Sequence, residues 1–157
     1  PWAIEAQQLL KDDYGIVADV WSVTSWGELR REGLELEKKR FHDPFGAHEP
    51  TWVEKKLAGA PGPVVAVSDY MKAVPDQIRE WVPGDYTVLG ADGFGFSDTR
   101  AAARRYFNID GPSVAVAVLQ QLARAGEVPQ EWATEAAAKY RLDDVTAGSS
   151  GNAGGDS

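Results

Sequence analysis

No cysteine occurs anywhere in the 157 residues, which excludes disulfides, thiolate nucleophiles and thiolate metal ligands. Histidine is almost as scarce. The two present, His42 and His48, share one short stretch, and no nucleophile–histidine–acid arrangement can be assembled around them. No apolar run approaches the ~20 residues of a membrane span. No charged-then-apolar leader opens the sequence either. Contact with a membrane is therefore not expected, and a cytoplasmic location is. Basic charge is also short: 16 Lys and Arg stand against 24 Asp and Glu, for a net charge of −8. The basic residues gather only in "RREGLELEKKR" and "ARR", and acidic residues interrupt the first. Nucleic-acid binding needs a basic stripe that releases counterions, so no nucleic-acid partner is expected.

What remains is the composition of an ordinary soluble globule, 43% hydrophobic and 25% charged. The length suits one domain, which buries roughly 70% of its unfolded surface. That domain is expected over residues 1–145. The tail "TAGSSGNAGGDS", residues 146–157, is small, polar and Gly-rich, and is expected to be disordered.

Along the chain, helical spacing of Trp2, Ala6, Leu9 and Leu10 predicts a first helix that stops at Gly15. "IVADVW" (Ile16–Trp21) reads as a short buried strand. Ser25 and Glu28 have capping-box spacing and predict a helix from Trp26 to about Arg40, with Gly33 a weak point inside it. Thr51 and Glu54 repeat the pattern for a short helix. "VVAVSD" is β-branched, apolar and too short for a helix, and is the clearest strand. Apolar residues from Val74 to Val82 follow a 3.6 period, with Pro75 in the first turn. "YTVLGA" predicts a third strand, and "DTRAAARRYF" a helix capped by Asp98. "SVAVAVLQQLARAG" alternates locally like a strand. The four-residue recurrence of Val114, Val118 and Leu122, with a cap at Ser113 and a stop at Gly126, favours a helix. "PQEWATEAAAKYR" closes the series.

Strand–helix alternation with Val-rich strands predicts an α/β fold, an open and mostly parallel sheet flanked by helices. Three strands make a narrow sheet for this length, and the opening helix needs a sheet to pack on. A first strand is expected to be missing ahead of Pro1.

The stretch with the most to explain is "GADGFGFSD", where Gly90, Gly93 and Gly95 lie between a strand and a helix. A phosphate cradle would sit there. The spacing is G-x-x-G-x-G, however, and neither the dinucleotide fingerprint nor a P-loop. Asp92 and Asp98 compete for the amides a phosphate would use, and their charge repels it unless a cation intervenes; Arg100 is one cation against two carboxylates. Phe94 and Phe96 alternate with the glycines. Two aromatics on an exposed connection need a surface to bury them. The loop therefore reads as a protein contact, carried by Asp92, Phe94, Phe96, Asp98 and Arg100. Two alternatives stay open: a free-standing α/β domain binding an anionic metabolite at Gly90–Arg100, and a small enzyme using Asp69 or Asp92 as acid or base.

Three blocks carry a resemblance: "ADVWSVTSWGELRREG", "PVVAVSDYMKAVPDQIREWVPGDYTVLGADGFGFSDTRAAARRYFNID" and "LARAGEVP". Together they resemble the C-terminal, transketolase-like domain of the homodimeric, thiamine-diphosphate-dependent decarboxylating component of pyruvate dehydrogenase. The likeness runs from about Pro1 to Val145. Phe96, where many relatives carry arginine, points to the actinobacterial branch. The resemblance implies a parent enzyme that decarboxylates pyruvate and acetylates the lipoyl group of a dihydrolipoyl acetyltransferase, with thiamine diphosphate and Mg²⁺ held by its other domains. The G-D-G…N signature for the diphosphate does not occur here: Asp92-Gly93 and Asp110-Gly111 lack its context. By resemblance, this domain holds no cofactor or metal and no catalytic residue. It packs on the other domains of its own chain and helps form a dimer with a second subunit.

The other constellations are weaker. His42, Asp43, His48 and Glu49 lie in "FHDPFGAHEP", but H-x₅-H on a Pro-containing loop is no zinc pattern, and a solvated loop is expected. Asp69 ends a strand where open α/β sheets bind ligands, and capping of the following turn is the plainer role.

Overall fold

In the computed structural model, which describes residues 1–93 and 97–148, several helix ends are set by residues that satisfy the terminal backbone groups. Helix α1 (Trp2–Tyr14) ends on Gly15, whose φ of 66° is the left-handed cap that glycine favours. Helix α2 (Trp26–His42) is capped by Ser25, which accepts from the Glu28 amide. Helix α3 (Trp52–Leu57) carries a full capping box, Thr51 accepting from Glu54 N while the Glu54 carboxylate accepts from Thr51 N. Strand β1 (Val64–Val67) follows, then the single-turn helix α4 (Ala73–Asp76), a 3₁₀ turn at Arg79–Trp81, and strand β2 (Tyr86–Leu89). Helices α5 (Arg100–Tyr106), α6 (Gly111–Arg124) and α7 (Gln130–Lys139) complete the order, with a last 3₁₀ turn at Val145–Ala147 against α5.

The two strands pair in parallel, Val64 opposite Tyr86 and Val67 opposite Leu89. A parallel pair needs a crossover between its strands, and residues 68–85 supply it. The register sends alternate residues to opposite faces. Val65, Val67 and Leu89 join the cluster of Ala6, Leu10, Val114, Ala115, Val116, Leu119 and Ala136 beneath α1, α6 and α7. Val64, Ala66, Tyr86 and Val88 face Val53, Ile78, Trp81 and Val82 on the other side. The architecture is thus an open parallel sheet with helices on both faces. Helix α6 is buried along most of its length, which explains its apolar, strand-like sequence: an all-round apolar helix is an interior one.

Two expectations are corrected. Ile16–Trp21 forms no strand. Its burial does alternate: Ile16 and Ala18 pack on the α1–α6 layer, while Val17 is 85% exposed. However, the Ile16 amide is spent on Leu10 O in the α1 cap, and the Ala18 carbonyl is held by the Gln7 amide at 2.5 Å. Side-chain composition suits extended backbone, but a ladder needs a neighbour. On β1, the edge facing away from β2 likewise pairs with no other strand among the described residues.

The second correction is the helix expected from Val74 to Val82. It breaks after Asp76 and continues only as 3₁₀ turns, with Trp81 N on Ile78 O and Val82 N on Arg79 O. The Tyr86 hydroxyl of β2 donates to Pro75 O at 2.8 Å, beside the Ile78 amide that bonds the same carbonyl in a three-residue turn. Burial raises the Tyr86 phenol well above its ordinary pKa, so it keeps its proton and remains a donor.

Candidate functional site

Because β1 and β2 run parallel, their C-terminal ends lie together, and the connections that follow them meet there. This is where open α/β sheets place their sites. Ser68 N donates to Leu89 O at 3.1 Å, extending the ladder by one bond. Beyond it the two loops are tied directly: Ala91 N donates to Tyr70 O at 2.9 Å, and Lys72 N to Asp92 Oδ1 at 2.8 Å. Gly90 sits at the closest approach. A Cβ on it would lie 2.7 Å from Tyr70 O and 2.8 Å from Lys72 N, both backbone atoms with no side-chain freedom to yield. Gly90→Ala is therefore expected to force the loops apart at a cost of about 1–3 kcal/mol. Faster hydrogen exchange at the Ala91 and Lys72 amides, with the β1–β2 ladder unchanged, is the measurement that checks it.

Asp92 thus holds the loop, as a short polar side chain in a glycine-rich turn is able to do. Next along, Gly93 lies against the ring of Phe107, to which a Cβ would come within 3.4 Å. Phe107 in turn meets Tyr106 edge to face, ring centroids 5.1 Å apart. Phe94 and Phe96 lie outside the described residues. Where the chain resumes, the cap of α5 differs from expectation. Thr99, not Asp98, is the N-cap, its hydroxyl accepting from Ala102 N at 3.2 Å. Asp98 accepts from Thr99 N at 2.7 Å, one residue earlier. Both residues are good capping types, and the backbone bend at Thr99 decides between them. Arg100 then opens the helix.

Five described amides around this corner are committed: Ala91 to Tyr70 O, Asp92 to Gly90 O, Lys72 to Asp92, Thr99 to Asp98 and Ala102 to Thr99. That donor set does not fit a diphosphate, which needs several convergent free N–H groups. No group of three or more His, Asp and Glu side chains able to hold a metal occurs among the described residues. His42 instead packs edge-on against Phe41, and the Asp43 carboxylate lies over Gly46. Asp69 is exposed, and Ser68 makes the side-chain bond of its turn, accepting from Tyr70 N at 3.1 Å.

Gly90, Asp92 and Gly93 of the sequence reading lie at this corner, while Gly95 falls outside the described residues. That reading misses Ser68, Thr99 and the exposed pair Tyr70 and Met71. A Ser-x-Tyr turn is a faint local signal, whereas the bond from Lys72 to Asp92 spans 20 positions and no local pattern announces it. No helix among the described residues is long and apolar enough to cross a membrane.

Comparison with known proteins adds two findings. The model of the transketolase-like C-terminal domain family matches residues 1–110. Curated relatives are similar over almost the whole chain. A pyruvate dehydrogenase E1 component from Mycolicibacterium smegmatis is 60% identical over 94% of this chain, and one from Mycobacterium tuberculosis is 54% identical over 94%. The protein of the same description from Escherichia coli K12 is 41% identical over 88%. In each case the chain spans only 16% of the relative's length.

Proposed function

Since this chain belongs to the transketolase-like C-terminal domain family, we propose that it is the last domain of a pyruvate dehydrogenase decarboxylating component and acts there as architecture. The observation that carries the reading is the pairing of high identity with small coverage: 60% identity along nearly all of these residues, yet 16% of the relative. The parent decarboxylates pyruvate in the cytoplasm and passes the two-carbon unit to the lipoyl group of a dihydrolipoyl acetyltransferase. Thiamine diphosphate and Mg²⁺ belong to its other domains, and the carbanion chemistry is the cofactor's. The present residues contribute a rigid block that packs on those domains and on the second subunit of a homodimer.

Within that block, the corner after β2 is the contact. Phe94 and Phe96 bury against a neighbouring domain or subunit, while Asp92, Asp98 and Arg100 hold the loop or pair across the contact. Support comes from the bonds of Asp92 and Asp98, both of which brace backbone and occupy the Lys72 and Thr99 amides. The alternative, an anionic metabolite at Gly90–Arg100, needs those same amides.

Changing Phe94 and Phe96 together to serine in the full-length parent removes two aromatic anchors. The expected result is a loss of at least about 2 kcal/mol, the usual threshold for aromatic anchors in a contact, read as weaker dimer association or as a lower melting temperature. Analytical ultracentrifugation and calorimetry measure the two. Unchanged association together with unchanged stability overturns the contact.

A further inference from the structure

A turn held by several hydrogen bonds displays two large exposed side chains. Tyr70 and Met71 follow β1 and are 72% and 58% exposed. Exposed aromatics are ordinary on a loop, and Phe45, 99% exposed beside the turn from Gly46 N to Asp43 O, is an example. Tyr70 and Met71 differ. The Tyr70 amide is bonded to Ser68 Oγ and its carbonyl to Ala91 N. The Met71 carbonyl accepts from Val74 N at 3.0 Å, and the next amide, Lys72 N, is fixed by Asp92. Gly90 presses on the same turn from below. Backbone order has been spent here, yet neither side chain joins an apolar cluster of the described residues. Preorganised display of Tyr and Met is the signature of a contact surface, since rigidity removes part of the ordering cost of binding.

We infer that Tyr70 and Met71 form a preorganised seat for the remainder of the same polypeptide. The inference rests on the reading that these residues are the last domain of a longer chain. The occupant follows from length: the relatives carry 84% of their residues outside the matched stretch (100% less the 16% matched). A tethered neighbour is present at an effective concentration that a separate partner does not reach. The seat adjoins Ala91 and Asp92 through the Tyr70–Ala91 and Lys72–Asp92 bonds.

Met71 is the single methionine of these residues, and this supplies a probe. The full-length parent is treated with hydrogen peroxide, native and in urea, and the Met71 peptide is followed by mass spectrometry. Oxidation tracks exposure, so a covered Met71 should react at least about tenfold more slowly in the native parent. In parallel, Tyr70 is replaced by a photoreactive phenylalanine in a mixture of isotopically light and heavy parent. Cross-links are expected within one chain, at positions outside the present residues. Equal oxidation rates overturn the inference. So do cross-links that stay inside this domain, or that join light chains to heavy ones. The intact mass of the parent separates the two failures: a short parent removes the underlying reading, whereas a long parent with a reactive Met71 removes the seat alone.

Discussion

Asp110→Ala is expected to destabilise the α5–α6–α7 corner by about 3–5 kcal/mol, the cost of stranding one member of a buried ion pair. Asp110 and Arg105 are 0% and 1% exposed, and Arg105 Nε donates to Asp110 Oδ2 at 2.6 Å. The guanidinium goes further. Its Nη1 donates to Tyr140 O at 2.7 Å and to Arg141 O at 2.8 Å, satisfying carbonyls at the end of α7. The other oxygen of Asp110 caps α6, accepting from Ser113 N at 3.1 Å. One carboxylate therefore starts α6, and its partner finishes α7. Removing it orphans a charge and a helix start at the same time. The roles separate with Asp110→Asn, which keeps a good capping side chain but drops the charge. If the ion pair dominates, Asn recovers only the capping share, about 1 kcal/mol. Hydrogen exchange of the α6 amides measures both variants. Near-complete recovery by Asn would show that the cap, not the charge pair, is what holds the corner.

Trp81→Ala should cost a similar amount on the opposite face of the sheet, about 3–5 kcal/mol for a buried aromatic. The ring is buried in the second cluster, and its Nε1 donates to Glu37 Oε1 at 2.9 Å on α2. Facing it is Gly33, where a Cβ would lie 2.5 Å from ring carbons. That contact makes a sign prediction. Alanine in place of a helical glycine normally gains about 1 kcal/mol, but here overpacking costs about 1–3 kcal/mol. Gly33→Ala should thus destabilise the protein when Trp81 is present and stabilise it when Trp81 is alanine. Such a reversal is the mark of directly coupled neighbours, and denaturant titration of the four variants reads it. A stabilising effect in both backgrounds would show that the ring yields.

These two corners also show how far local sequence carries. The Thr51–Glu54 box, the strands at Val64 and Tyr86, and the helix at Gly111–Arg124 are legible because their signals lie within a turn or a period. Gly33 reads locally as a weak point in α2 and proves to be the place where Trp81 fits. Pro75 reads as part of a first helical turn and lies in one, but that helix stops after Asp76, where the Tyr86 hydroxyl of another element meets Pro75 O. Ile16–Trp21 has strand composition and strand-like alternation without a ladder, because pairing depends on a neighbour that composition does not encode. At the candidate site, the glycines and aspartates announce a structured turn. The amide that Asp92 accepts from lies 20 positions away on another loop, whereas the choice of Thr99 over Asp98 as cap turns on the local backbone bend. The family resemblance identifies the domain, while the ties between its two loops are read only from geometry.

The open side of β1 has a practical corollary. Val65 and Val67 present a row of unsatisfied donors and acceptors on an apolar strand, the template on which foreign strands add. Left uncovered, that margin would favour strand addition between copies, so these residues on their own are expected to oligomerise in solution as concentration rises.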